Sequence, residues 1–181
     1  MKILIPCSTL DLKYKLGCTP SWWQLFKALH EIGHEVIAVP YLGDPVESLW
    51  WTTYPNPCLW ESKTYNNFLE GKKRRGKLPK HNEETDTFLN RFAEKHVRGR
   101  WEKHLYNILE KEKNIDAVLF VNIPINHIKE IPTGIRRKYG VPAAYLDGDM
   151  PTILPQYAVD RGFKFNYYVP DPEVPSKHKN S

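Results

Sequence analysis

Two short apolar runs bracket one amphipathic stretch within the first forty residues. That arrangement constrains the fold more than anything else in the chain. Lys2-Ile3-Leu4-Ile5-Pro6 reads as a buried strand. A polar loop, Ser8 to Thr19, leads into a helix. Thr19 can cap it with Pro20 at the first helical position, or Ser21 can cap it with Gln24 as capping-box partner. Trp22, Leu25, Phe26, Leu29 and Ile32 form one apolar stripe. Gly33 stands where a helix ends in the left-handed conformation. Glu35 to Pro40 follows, rich in β-branched residues and so a second strand. Strand, helix, strand at this spacing is a βαβ unit, whose strands run parallel through a right-handed crossover.

The alternation resumes later. Residues 41 to 80 read as an irregular insert, with aromatics among prolines and a basic loop at 71 to 77. From about Glu83 to Lys113 the pattern is helical, with Phe88, Leu89, Phe92, Trp101, Leu105, Ile108 and Leu109 inward and Gly99 as a possible break. Ile115 to Val121 is a third strand, and a short helix spans Thr133 to Tyr139 before Gly140. Val141 to Leu146 is a fourth strand, and Phe163 to Val169 a candidate fifth. The expected fold class is α/β: a Rossmann-like three-layer domain with a mainly parallel sheet. One domain covers 1 to 170, and the tail 171 to 181 reads as unpacked. Ligands in such sheets sit beyond the carboxyl ends of the strands. That edge holds Cys7 to Thr9, Tyr41 to Asp44, Asn122, and Asp147 to Asp149.

Residues 30 to 36, HEIGHEV, match the H-E-x-x-H pattern of zinc proteases. Zinc chemistry needs both histidines one turn apart on one continuous helix. Here strong strand residues follow Gly33 at once, and the longer metzincin pattern fails at Ile37 and Pro40. His30 also falls on the polar side of the stripe, beside Lys27 and Glu31. No metal site is expected.

Composition narrows the partners. The 181 residues are 41% hydrophobic, enough for a real core, and the net charge of +5 favours anionic partners without choosing one. Cys7, Cys18 and Cys58 are odd in number and form no C-x-x-C, so thiols rather than disulfides are expected. The opening apolar run is too short for a signal peptide, and no stretch approaches a membrane span. The expected compartment is the cytoplasm.

Leu29, Gly33-His34-Glu35-Val36, and the later segment from Ile115 to Asn122 and from Arg136 to Pro151 carry a family likeness. Together they resemble the N-terminal domain of GT-B glycosyltransferases, in particular the family-4-like and spore-coat-like branch. The resemblance covers about Met1 to Pro151. It implies a domain that holds the acceptor while a C-terminal domain, here missing, binds the nucleotide-sugar. The usual double-glycine loop is also lacking, since only Gly17 occurs within KLGCTPS. The resemblance therefore implies a hexosyltransferase half that is inactive without a donor-binding domain or partner subunit.

Several residues stand out as site candidates. Asp149 and Asp147 can serve as a base toward an acceptor hydroxyl, with Asp149 ahead because it carries the D-x-P match; the plainer reading is a turn. Ser8, Thr9 and Gly17 face the expected helix N-terminus, where free N–H groups can hold an anion or simply cap themselves. Asn122 lies at the same strand edge. Trp50 and Trp51, with Tyr54 and Trp60, form either an acceptor platform or an aromatic mini-core under a long loop. Paired with the basic loop they suggest a lipid-linked acceptor and peripheral membrane contact, set against a solvated charge run. The expected partners are a nucleotide-sugar and a sugar or lipid-linked acceptor. No cofactor and no nucleic acid are expected. The alternative is a non-catalytic Rossmann-like module that binds a protein, polysaccharide or anionic lipid.

Overall fold

β1 (Lys2–Thr9) forms the middle of a five-stranded sheet. The computed structural model describes residues 1–11, 21–61, 63–64, 88–123 and 125–146. In chain order the remaining elements are α1 (Ser21–Glu31), β2 (Glu35–Leu42), β3 (Thr52–Thr53), α2 (Phe88–Glu112), β4 (Ala117–Val121), α3 (Ile125–Ile128), α4 (Ile131–Tyr139) and β5 (Ala143–Leu146). The strand order is β3-β2-β1-β4-β5, and every pairing is parallel. β1 runs in register with β2 from Lys2↔Glu35 to Thr9↔Leu42, and with β4 from Ile3↔Ala117 to Cys7↔Val121. The chain is α/β, with helices on both faces of a parallel sheet.

Alternation along the strands sorts the core into two layers. Ile3, Ile5 and Cys7 of β1 pack with Val36, Ala38 and Val121 against Phe26 of α1. Leu4 packs on the other face with Ile37, Val39, Val118 and Phe120. That face is covered by Trp101, Leu105, Ile108 and Leu109 of α2, with Ile131 and Ile135 of α4. The α2 residues recur at helical spacing, so one stripe meets the sheet although the helix as a whole is polar.

The βαβ unit forms as the sequence predicts. α1 ends at Glu31, Gly33 adopts φ +87°, and β2 begins at Glu35. Gly140 likewise ends α4 in the left-handed region, its N–H bonding the Arg136 carbonyl. This geometry also disposes of the zinc pattern. His30 is on the helix, but His34 follows the glycine turn and its Nδ1 lies 3.4 Å from the chain's amino group.

Three expectations need correction. α2 runs unbroken through Gly99, which has open space around it. Ile32 leaves the apolar stripe because the helix has already ended, and it is 70% exposed. The stretch expected to be irregular contributes the edge strand β3 and a helical turn at 59–61. Other expectations lie outside the described residues: the cap at Thr19 and Pro20, the basic loop 71–77, the strand at Phe163–Val169, the tail 171–181 and the side chains of Phe88, Leu89 and Phe92. Among the described residues, no helix is long and apolar enough to cross a membrane.

Candidate functional site

In an open parallel sheet the crevice opens where the strand order reverses direction. Here that point lies between β1 and β4, beyond Thr9 and Val121. Asn122 sits immediately past β4 with φ 51°, a left-handed conformation that asparagine tolerates, and its N–H bonds the Leu146 carbonyl. Thr9 closes β1. Its Oγ1 accepts the Asp11 N–H at 3.0 Å, and its carbonyl accepts the Trp22 indole N–H at 2.7 Å. A methyl group on Gly43 would lie 3.6 Å from Thr9 Oγ1, so the turns after β1 and β2 approach closely. Ser8 Oγ is buried with no hydrogen-bond partner among the described residues, an exception among buried hydroxyls.

The same edge carries a pair that the sequence did not advertise. The hydroxyl of Tyr41, near the end of β2, is hydrogen-bonded to Nδ1 of His127 in α3. The Tyr41 ring stacks between two partners, 5.6 Å from Trp101 and 5.7 Å from His127, at 28° and 29°. Burial, with the nearby Cys58, pushes the Tyr41 phenol well above its ordinary value, so it stays neutral. The bond direction fixes the imidazole tautomer. If Nδ1–H donates to the phenol oxygen, Nε2 keeps the lone pair a general base needs. If the phenol donates, Nε2 carries the proton instead.

Behind this pair, Trp101 and His104 stand 6.5 Å apart, and Tyr54 meets His104 edge-on at 6.3 Å. Trp101 Nε1 and His104 Nε2 are buried without partners among the described residues. Burial lowers the His104 pKa, opposed by its bond to the Pro55 carbonyl. Asn56 braces the edge: Nδ2 donates to the Tyr41 carbonyl at 2.7 Å, and Oδ1 accepts the Cys58 N–H at 2.8 Å. Cys58 is a buried thiol, pushed up to about 11 by burial and then by Glu61.

The structure brings Ser8, Thr9, Tyr41 and Asn122 to one edge and adds His127. It places Trp50 and Trp51 elsewhere. Trp51 is 3% exposed, packs edge-on against Trp23 and Phe26, and donates its indole N–H to the Val46 carbonyl. Trp50 is half-buried under the Lys27 ammonium, 5.2 Å away. Both line a groove of about 390 Å³ with His30, His34 and Leu49, at the amino edge where β2 and β3 begin. Asp147, Asp149 and Gly17 lie outside the described residues. No protein-family model matches the chain, and no curated protein or solved structure matches it.

Proposed function

We propose that this chain is the acceptor-binding half of a GT-B-type sugar transferase. It holds a hydroxyl-bearing acceptor at the carboxyl edge of β1, β2 and β4, and a second domain or subunit supplies the nucleotide-sugar. The observation that carries the reading is the Tyr41–His127 pair at the strand edge beside the switch point. Fold alone hosts many chemistries, so the reading stands on these residues. It is supported by the motif positions. Gly33 to Val36 fall at the turn from α1 into β2, and Tyr139 to Leu146 run from the end of α4 into β5.

The chemistry asked of the site is modest. An acceptor hydroxyl must lose its proton as its oxygen attacks the sugar's anomeric carbon. His127 takes that proton at Nε2 in the tautomer whose Nδ1–H points at Tyr41, and Tyr41 fixes the ring. Thr9 and Asn122 offer hydrogen bonds that orient the acceptor. Asp149 remains the rival base.

The test is transfer. The native protein, isolated from its own cells with whatever it binds, is incubated with radiolabelled nucleoside-diphosphate sugars and extracted cellular glycans and lipids. Label should enter an acceptor, and His127→Ala should slow this on the order of a hundredfold. No transfer from any donor by the folded protein would overturn the reading. Transfer unaffected by His127→Ala would move the base role to Asp149.

A further inference from the structure

Trp60 is the outlier among the aromatics after β2: its side chain is 75% exposed, whereas Trp51 is buried. It stands on the helical turn at 59–61 and lines a groove of about 390 Å³ with Asn56, Pro57, Leu59, Glu61, Lys63 and Arg100. The exposed indole presents a flat apolar face to this groove. The groups around it say what chemistry suits it.

The charges near the ring are already matched. Arg100 binds Glu61 Oε1 at 2.6 Å, and Lys63 binds Asp44 Oδ1 at 2.9 Å. His96 Nε2 lies 3.3 Å from the same Glu61 oxygen. Burial pushes the Glu61 carboxyl up, but its own backbone N–H, His96 and Arg100 together hold it below the ordinary value. It is therefore an acceptor near neutral pH. Its other oxygen, Oε2, is buried and has no partner among the described residues. A phosphate would want unpaired cations here, and an apolar peptide would want a rim free of charge. The groove offers instead an apolar aromatic plane flanked by donors and acceptors in near balance.

We propose that Trp60 is the stacking platform of a saccharide-binding subsite, taking one pyranose ring of a neutral glycan. The C–H face of a pyranose carries partial positive charge and fits the electron-rich indole face. Its hydroxyls spread around the ring plane, within reach of the groove-lining Lys63, Arg100 and Glu61. The subsite adjoins the crevice, because Asn56 both lines the groove and donates to the Tyr41 carbonyl. The inference rests on the acceptor-binding reading for its biological sense, and it names that acceptor as a glycan.

The experiment is titration of the purified full chain with hexasaccharides of glucose, N-acetylglucosamine and mannose. It is followed by calorimetry and by the Trp60 indole N–H resonance. At least one should bind and shift that resonance. Trp60→Ala should weaken binding at least about tenfold, and Trp60→Phe less. The resonance shift needs no variant, so a poorly folded Trp60→Ala leaves the test intact. No binding by any hexasaccharide, or binding indifferent to Trp60, overturns the platform. If transfer is observed all the same, the crevice reading survives that failure. Trp60-dependent binding by a protein that transfers nothing keeps the platform and sinks the crevice reading.

Discussion

Tyr41 and His127 lie 86 residues apart in the chain and share a hydrogen bond at the carboxyl edge of the sheet. Each also belongs to a stack that continues to Trp101. Replacing the phenol should therefore loosen the imidazole without collapsing its surroundings. Tyr41→Phe should cost about 1 kcal/mol of stability, the net worth of one hydrogen bond. Nitrogen chemical shifts of His127 report the change directly. Loss of the phenol should move the Nδ1 resonance and mix the tautomers. An unchanged Nδ1 signal would mean the bond is not formed in solution.

His104 should make the fold acid-sensitive. Its folded pKa lies below the ordinary 6.5, because burial among Trp101 and Tyr54 disfavours the imidazolium. The unfolded chain then takes up the proton first. Stability is full above about 6.5 and falls as pH drops from there toward the folded pKa. Urea midpoints measured at stepped pH should decline in this window, and His104→Gln should flatten the decline. Glu112 acts in a lower window. Lys2 and then Tyr54 hold its carboxyl below 4.5, so its contribution is lost only as pH falls through that region.

Gly134 should resist the usual helix-stabilising change. An added methyl would collide with Tyr106 Oη. That phenol donates to Glu102 at 3.1 Å and packs edge-on with Tyr139 at 5.5 Å. Alanine normally gains about 1 kcal/mol over glycine in a helix. Here Gly134→Ala should lose about 1 kcal/mol instead, since the phenol must swing away. Adding Tyr106→Phe should recover it. A double-mutant cycle by thermal melting checks the coupling, and additive effects would show that the contact is absent.

Three tryptophans in the same region should behave differently. Trp51→Ala should cost about 3–5 kcal/mol, as expected for a large buried aromatic. Trp60→Ala should change stability by less than about 0.5 kcal/mol, since its ring touches mainly solvent. Trp50→Ala should fall between, losing its partial packing and the Lys27 contact. Chemical denaturation of the three variants ranks them. Equal losses would contradict the burial.

These aromatics also show where sequence reading stops. The βαβ unit was legible because its signals are local: a capped stripe, a glycine stop and a β-branched run, each within a few residues. Sequence alone offered the tryptophans as either platform or mini-core. The structure splits them, because the burial of Trp51 depends on Trp23 and Phe26, which come from α1. β3 escaped notice since Thr52 and Thr53 are too few to show a period. The edge position of Ser8, Thr9 and Asn122 followed from strand ends and parallel order. His127 did not follow, because a lone histidine in a four-residue helix has no pattern, and its partner arrives only through the sheet.

The central place of β1 also dictates a sequence of events. Its pairing with β2 closes across roughly thirty residues, a short loop that chain diffusion finds readily. Its pairing with β4 closes across more than a hundred, as the Lys2 to Asp116 bond shows. During synthesis, therefore, the first strand pair is available long before its other neighbour leaves the ribosome. Until then the edge of β1 that pairs with β4, from Ile3 to Cys7, is a row of unpaired backbone groups.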